Sequence, residues 1–199
     1  GTAQSLNLTE NVTTDAALTN SIVNASANVS VIAQDTHNIS GTATGFSGAA
    51  FASGGLTKID TKLTNTTKAQ IIASTVTAAD ILLHAVTGIT KNTKATASSG
   101  ALGGSANDVS DNTTVTNKTY AVAGTGSNLT AADTVTISAV TDNHYKGYAT
   151  AIAGAIVAKG VATAYEKITD DVRVQIYPSV IKAGKGDVDI YAYAKDITE

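Results

Sequence analysis

One short phrase recurs four times in this chain and limits its fold more than any other feature. Ser21-x-Val23-x-Ala25 leads to Val29-x-Val31-x-Ala33, and Ser74-x-Val76-x-Ala78 leads to Ile81-x-Leu83-x-Ala85. Ser127-x-Leu129-x-Ala131 leads to Val135-x-Ile137-x-Ala139, and Ser179-x-Ile181-x-Ala183 leads to Val188-x-Ile190-x-Ala192. The closing alanines lie 52, 54 and 53 residues apart. Self-similarity at such a period marks an array of one supersecondary unit stacked on itself, with each unit burying its apolar face against the next. The units run 29–80, 81–134 and 135–187, preceded by a segment 1–28 that ends a partial repeat and followed by 188–199, the start of a further one.

A second repeated feature says what the units are made of. Ten, twelve, fourteen and sixteen positions after the anchor alanine stand Ala43, Gly45, Ser47, Ala49, then Ala95, Ala97, Ser99, Ala101, then Ala149, Ala151, Ala153, Ala155. All twelve are small, while the residues between them vary freely: Phe46, Ser98 and Ile152 occupy one such position. One constrained face at period two is a strand signature. Tyr148 to Lys167 could also form an amphipathic helix, but its counterpart Lys94 to Ser105 contains Ser-Ser-Gly and Gly-Gly, poor helix material. Equivalent positions should share a structure, so strand is expected in both. The fold class is therefore all-β, a β-solenoid of parallel β-helix type.

Turns are expected at Gly54-Gly55, Gly103-Gly104 and Lys159-Gly160, and polar loops at 58–68, 107–118 and 165–171. That gives about five short strands per repeat and about two coils per repeat. At ~4.8 Å per coil, three repeats would stack into a rod on the order of 30 Å long.

Composition narrows the function. With 15% charged residues and a net charge of −3, the chain lacks the basic footprint of a nucleic-acid binder. No stretch reaches the ~20 apolar residues of a membrane span, so neither nucleic acid nor membrane insertion is expected. The absence of Cys excludes disulfides, thiolate metal sites and a cysteine nucleophile. The chain starts at Gly1 and contains no Met, which implies a processed product or a piece of a longer chain.

The repeat as a whole resembles those of very large bacterial filamentous adhesins, the filamentous-haemagglutinin-like and leukotoxin-type surface proteins. The likeness is carried best by Gly147-Tyr148-Ala149-Thr150-Ala151-Ile152-Ala153-Gly154-Ala155 and by Ala183-Gly184-Lys185-Gly186-Asp187-Val188. It covers roughly residues 16 to 199, although Thr93 stands where the other units have Gly41 and Gly147. The resemblance implies a secreted, cell-surface β-solenoid stalk with no catalytic residues to carry over.

Candidate chemistry is sparse. His37 and His144 fall near matching offsets, each preceded by an aspartate, Asp35 and Asp142, but the middle unit offers only Thr87, Gly88 and Thr90 there. A metal site needs more converging ligands, so these residues are expected to cap strand ends. His84 is expected on a strand's exposed face. Glu166, Asp170, Asp171 and Arg173 form the one dense charge cluster, expected in a solvated loop. Paired carboxylates can cleave glycosides, which keeps a polysaccharide-acting enzyme as a minor alternative, with only Tyr165 and Tyr177 nearby as an aromatic platform. No Gly-x-Ser-x-Gly elbow is present. A threonine array of the ice-binding kind fails, because Thr42 and Thr44 are matched by Lys94/Thr96 and Tyr148/Thr150. Nine Asn-x-Ser/Thr sequons occur, at Asn7, Asn11, Asn24, Asn28, Asn38, Asn65, Asn112, Asn117 and Asn128.

The expected function is a non-enzymatic structural module of an extracellular surface adhesin or fibre, without cofactor or metal, giving length and stiffness and a surface for cell or matrix attachment. Its expected partners are neighbouring repeats or identical subunits, joined through strand edges, with host or bacterial receptors or glycans on its outer face. The alternative is a filament subunit that polymerises head to tail by strand addition.

Overall fold

The computed structural model describes residues 1–199 and contains twelve strands and no helix. Three strands make one coil. The first coil is β1 (Thr2–Thr19), β2 (Ile22–Asn24) and β3 (Val29–Ala49); the second is β4 (Ala52–Ile72), β5 (Thr75–Ala78) and β6 (Ile81–Ala101). The third is β7 (Gly104–Ala123), β8 (Asn128–Ala131) and β9 (Val135–Gly154); the fourth is β10 (Val157–Ile176), β11 (Val180–Ala183) and β12 (Val188–Thr198). Equivalent strands pair in parallel into three four-stranded sheets: sheet A from β1, β4, β7 and β10, sheet B from the short strands, and sheet C from β3, β6, β9 and β12. The chain is a parallel β-solenoid.

The repeated phrase sets the register. Val29, Ile81, Val135 and Val188 stand in one ladder, and the anchor alanines Ala33, Ala85, Ala139 and Ala192 in another. Moving along sheet C by one rung thus advances the sequence by one repeat. Each repeat is one coil, which corrects the expectation of two. The first and last rungs lie only about 14 Å apart, while the long strands, near 20 residues each, reach about 65 Å. The molecule is a flat slab, wider than it is tall, where a 30 Å rod was expected.

The error has a physical source. The Thr- and Asn-rich stretches expected as loops are the middles of the sheet A strands. They keep period two, and every second residue points inward: Thr57, Ile59, Thr61, Leu63, Asn65 and Thr67 on β4 are all buried. Threonine suits a pleated surface, and Asn65 and Thr67 are hydrogen-bonded in the interior, whereas the Thr57 and Thr61 hydroxyls are buried without a partner.

Sheets A and C face each other across the interior and converge at one end. There the links Ala50–Phe51, Leu102–Gly103 and Ala155–Ile156 join a sheet C strand to the next sheet A strand, and two residues can span only about 10 Å. The small-residue face lines this narrow end, where Ala43, Ala95 and Ala97 pack on Ile59 and Val109. Gly54-Gly55 and Lys159-Gly160, expected as turns, lie inside β4 and β10. Gly103 does sit in a turn, and a Cβ there would collide with the Phe51 carbonyl.

At the wide end sheet B closes the coil over the main apolar core, which includes Ile71, Val76, Ile81, Leu83, Leu129, Val135 and Ile137. The serine of the phrase stitches the corner between sheets A and B. Ser74 Oγ donates to Ile72 O at 2.8 Å and accepts the Ser21 amide at 3.1 Å, and Ser127 Oγ donates to Ile71 O at 2.9 Å.

Candidate functional site

Between the apolar core and the narrow end, buried polar groups flank a small apolar cluster of Leu63, Ile89, Val115 and Tyr145. Asn65 and Asn117 are stacked neighbours in sheet A, and Asn65 Nδ2 donates to Asn117 Oδ1 at 3.1 Å. Thr87 and Thr141 of sheet C meet Thr67 and Thr119 of sheet A: Thr87 Oγ1 donates to Thr67 Oγ1 at 2.8 Å, and Thr141 Oγ1 to Thr119 Oγ1 at 3.1 Å. Such ladders specify register, because a slip of one residue would turn every one of these groups outward.

Strand alternation divides the charged cluster that the sequence placed in a loop. Glu166, Asp170, Asp171 and Arg173 all lie on β10. Glu166 and Asp170 face inward, while Asp171 accepts a hydrogen bond from Tyr120 at 2.6 Å on the outer side and pairs with Arg173. Burial, reinforced by the charge of Asp196, pushes the Asp170 carboxyl up to about 7. Asn143 Nδ2 bridges the two acids, donating to Asp170 Oδ2 and to Asp196 Oδ1 at 2.9 Å each. Burial likewise pushes the Tyr145 hydroxyl up; that side chain is fully enclosed and its oxygen has no hydrogen-bond partner.

Glu166 meets a group that sequence reading passed over. Lys91 is fully buried on β6, with Nζ 2.9 Å from Glu166 Oε1 and 3.4 Å from Asp111 Oδ1 on β7. Thr93 Oγ1 donates to Asp111 Oδ2 at 2.5 Å. Gly147 makes room for the cluster: a Cβ there would lie 2.9 Å from Lys91 Nζ, 3.0 Å from Glu166 Oε1 and 3.1 Å from Asp111 Oδ2. The departure of Thr93 from the glycines of the other units now has a reason, since its hydroxyl holds the aspartate. Alternation could have found Lys91, which stands two residues after inward Ile89 and two before inward Thr93.

The histidines do not form a pair. His37 stands in the ladder His37–Ile89–Asn143–Asp196, which faces inward, and is bonded to Asp35 at 2.6 Å with Glu10 at 3.5 Å. His144 is one position out of phase, in the ladder of Thr90, and reaches Glu199 at 3.3 Å on the exposed face. Both lie within strands, so neither caps a strand end. His84 is half-buried, its Nδ1 2.7 Å from Ser138 Oγ.

The outer faces are polar along much of their length, with Phe46, Tyr148 and Ile152 exposed among the polar residues of sheet C. One sheet A ladder reads Asn11, Thr64, Thr116, Thr169, and one sheet C ladder Thr44, Thr96, Thr150, but Thr42 is followed by Lys94 and Tyr148. Two of the nine sequons, Asn65 and Asn117, are buried, whereas Asn7, Asn11, Asn24, Asn28, Asn38 and Asn128 are exposed. Phe51, Leu102 and Ile156 stand exposed at successive narrow turns. The strands of the first and fourth coils are sheet edges, each bonded on one side only. No family model, no curated protein and no solved structure matches the chain.

Proposed function

We propose that this chain is a non-enzymatic structural module of an extracellular surface adhesin or fibre, giving length and stiffness. One observation carries the reading: the coil register holds without a break over strands of about 20 residues, through both apolar and polar ladders. Peeling one coil from such a stack breaks some tens of backbone hydrogen bonds together with those ladders, and that cooperativity resists load. The exposed polar stretches of the outer faces leave room for attachment to receptors or glycans. Single-molecule stretching of the chain tests the reading. Discrete steps of roughly 180 Å, the contour of one 53-residue coil, are expected; featureless extension at low force would remove the support.

A second reading, head-to-tail assembly, is favoured by the edge strands of the first and fourth coils, whose backbone groups face along the stacking axis. Negative-stain electron microscopy over a dilution series separates the two. Fibres with an axial repeat of about 19 Å, four coils at the strand spacing, support assembly. Separate flat particles at every concentration count against it.

A further inference from the structure

We propose that Lys91 and Asp111 condense into an amide bond inside the solenoid, with Glu166 carrying the protons. The inference goes beyond the structural role above and rests on the buried cluster alone.

The three side chains come from three successive coils, β6, β7 and β10, and meet where water is excluded: Lys91 and Asp111 side chains are 0% exposed and Glu166 9%. The amine stands 3.4 Å from Asp111 Oδ1, which places it beside the carboxyl group whose carbon it would attack. Thr93 holds the other aspartate oxygen, Oδ2, and is placed to stabilise negative charge there. Glu166 contacts the amine through Oε1 at 2.9 Å, while its Oε2 is buried and has no hydrogen-bond partner, free to carry a proton. Gly147 leaves the three groups in direct reach of one another, with no side chain between them.

The chemistry balances without an outside reagent. Glu166 takes a proton from the Lys91 ammonium, and the freed lone pair of Nζ attacks Asp111 Cγ. The C–N bond forms, and the carbonyl electron pair moves onto Oδ2, against the Thr93 hydroxyl. Glu166 delivers its proton to Oδ1, takes a second from the nitrogen and delivers that as well. The Cγ–Oδ1 bond breaks, water leaves, and the pair on Oδ2 restores the carbonyl. One ammonium and one carboxylate become one secondary amide and one water. Glu166 ends as it began, placed to accept the new amide N–H. Fixed juxtaposition supplies the drive, since effective molarities of well-placed groups reach roughly 10⁵–10⁸ M. The separated charges of an ion pair give way to a neutral amide, a smaller burden in a dry interior.

Intact-mass measurement of the purified folded chain tests this directly. The expected mass is about 18 Da, one water, below that of the sequence. Proteolysis should release one branched peptide joining the segments around Lys91 and Asp111. Glu166→Gln and Lys91→Met should each return to full mass, Glu166→Gln while keeping the strand signature in circular dichroism. Full wild-type mass, with Lys91 open to acetylation after denaturation, overturns the proposal, and so does a water loss that maps to any other pair, Glu166 included. A Glu166→Gln chain that still loses water removes Glu166 from its role. Should Lys91→Met fail to fold, the wild-type mass and its peptide map decide alone.

Discussion

Single residues here are selected by what stands opposite them as well as by their own propensities. Gly147→Ala would press a methyl group into the Lys91–Asp111–Glu166 cluster, whose members are buried and cannot swing away freely. A loss of about 1–3 kcal/mol is expected, as for other overpacked sites, measurable as a lowered urea midpoint at unchanged slope. Asp170 makes a second expectation, with a definite sign. Its raised pKa, about 7, means that the folded chain retains a proton in a window where the unfolded chain has lost it. Stability from this group is therefore full below about pH 4, falls as pH rises towards 7, and is flat beyond. Relative to Asp170→Asn, the wild-type melting temperature should drop across that window. Parallel curves for the two chains would refute the assignment.

At the level of strands, the ladders decide what a substitution does. Leu83 lies in the wide-end core between Val31 and Ile137, fully enclosed, so Leu83→Ala should lose about 2–5 kcal/mol through lost burial and a cavity. Asn117 is less obvious. It accepts from Asn65 and donates to Thr141 at 3.4 Å, so truncation to alanine leaves Asn65 without its ladder partner in a closed interior. About 1–3 kcal/mol is expected, comparable with many apolar core changes even though the residue is polar. Thermal denaturation of both variants checks the pair; an Asn117→Ala chain as stable as wild type would show that water replaces the lost group.

For the whole molecule, stacking predominates. Each coil bonds through its backbone only to its neighbours, with the Lys91–Glu166 pair reaching from the second coil to the fourth, and the outer coils bond on one side, so opening should begin there. Amide exchange at low concentration should protect β4 to β9 most and the strands of the first and fourth coils least. Equal protection throughout would mean that the slab opens as one unit. Protection of the end coils that grows with concentration would be the solution signature of end-to-end assembly.

Much of this fold is legible in the sequence. The spacing of Ala33, Ala85, Ala139 and Ala192 specifies the register of sheet C to the residue, and the small-residue face marks where two sheets approach. Those features reveal themselves because side chains that stack on their own equivalents must repeat. Coil number, strand length and the buried cluster depended on tertiary structure. The stretches 58–68 and 107–118 look like solvated loops because polarity ordinarily means contact with water, and only the opposite sheet brings the groups that replace it at Thr67, bonded to Thr87, and at Asn117, bonded to Thr141. Lys91, Asp111 and Glu166 lie on three different coils, and no local pattern announces that they meet. The chain determines what repeats along the stack; the folding of one sheet onto another determines which polar groups face each other across it.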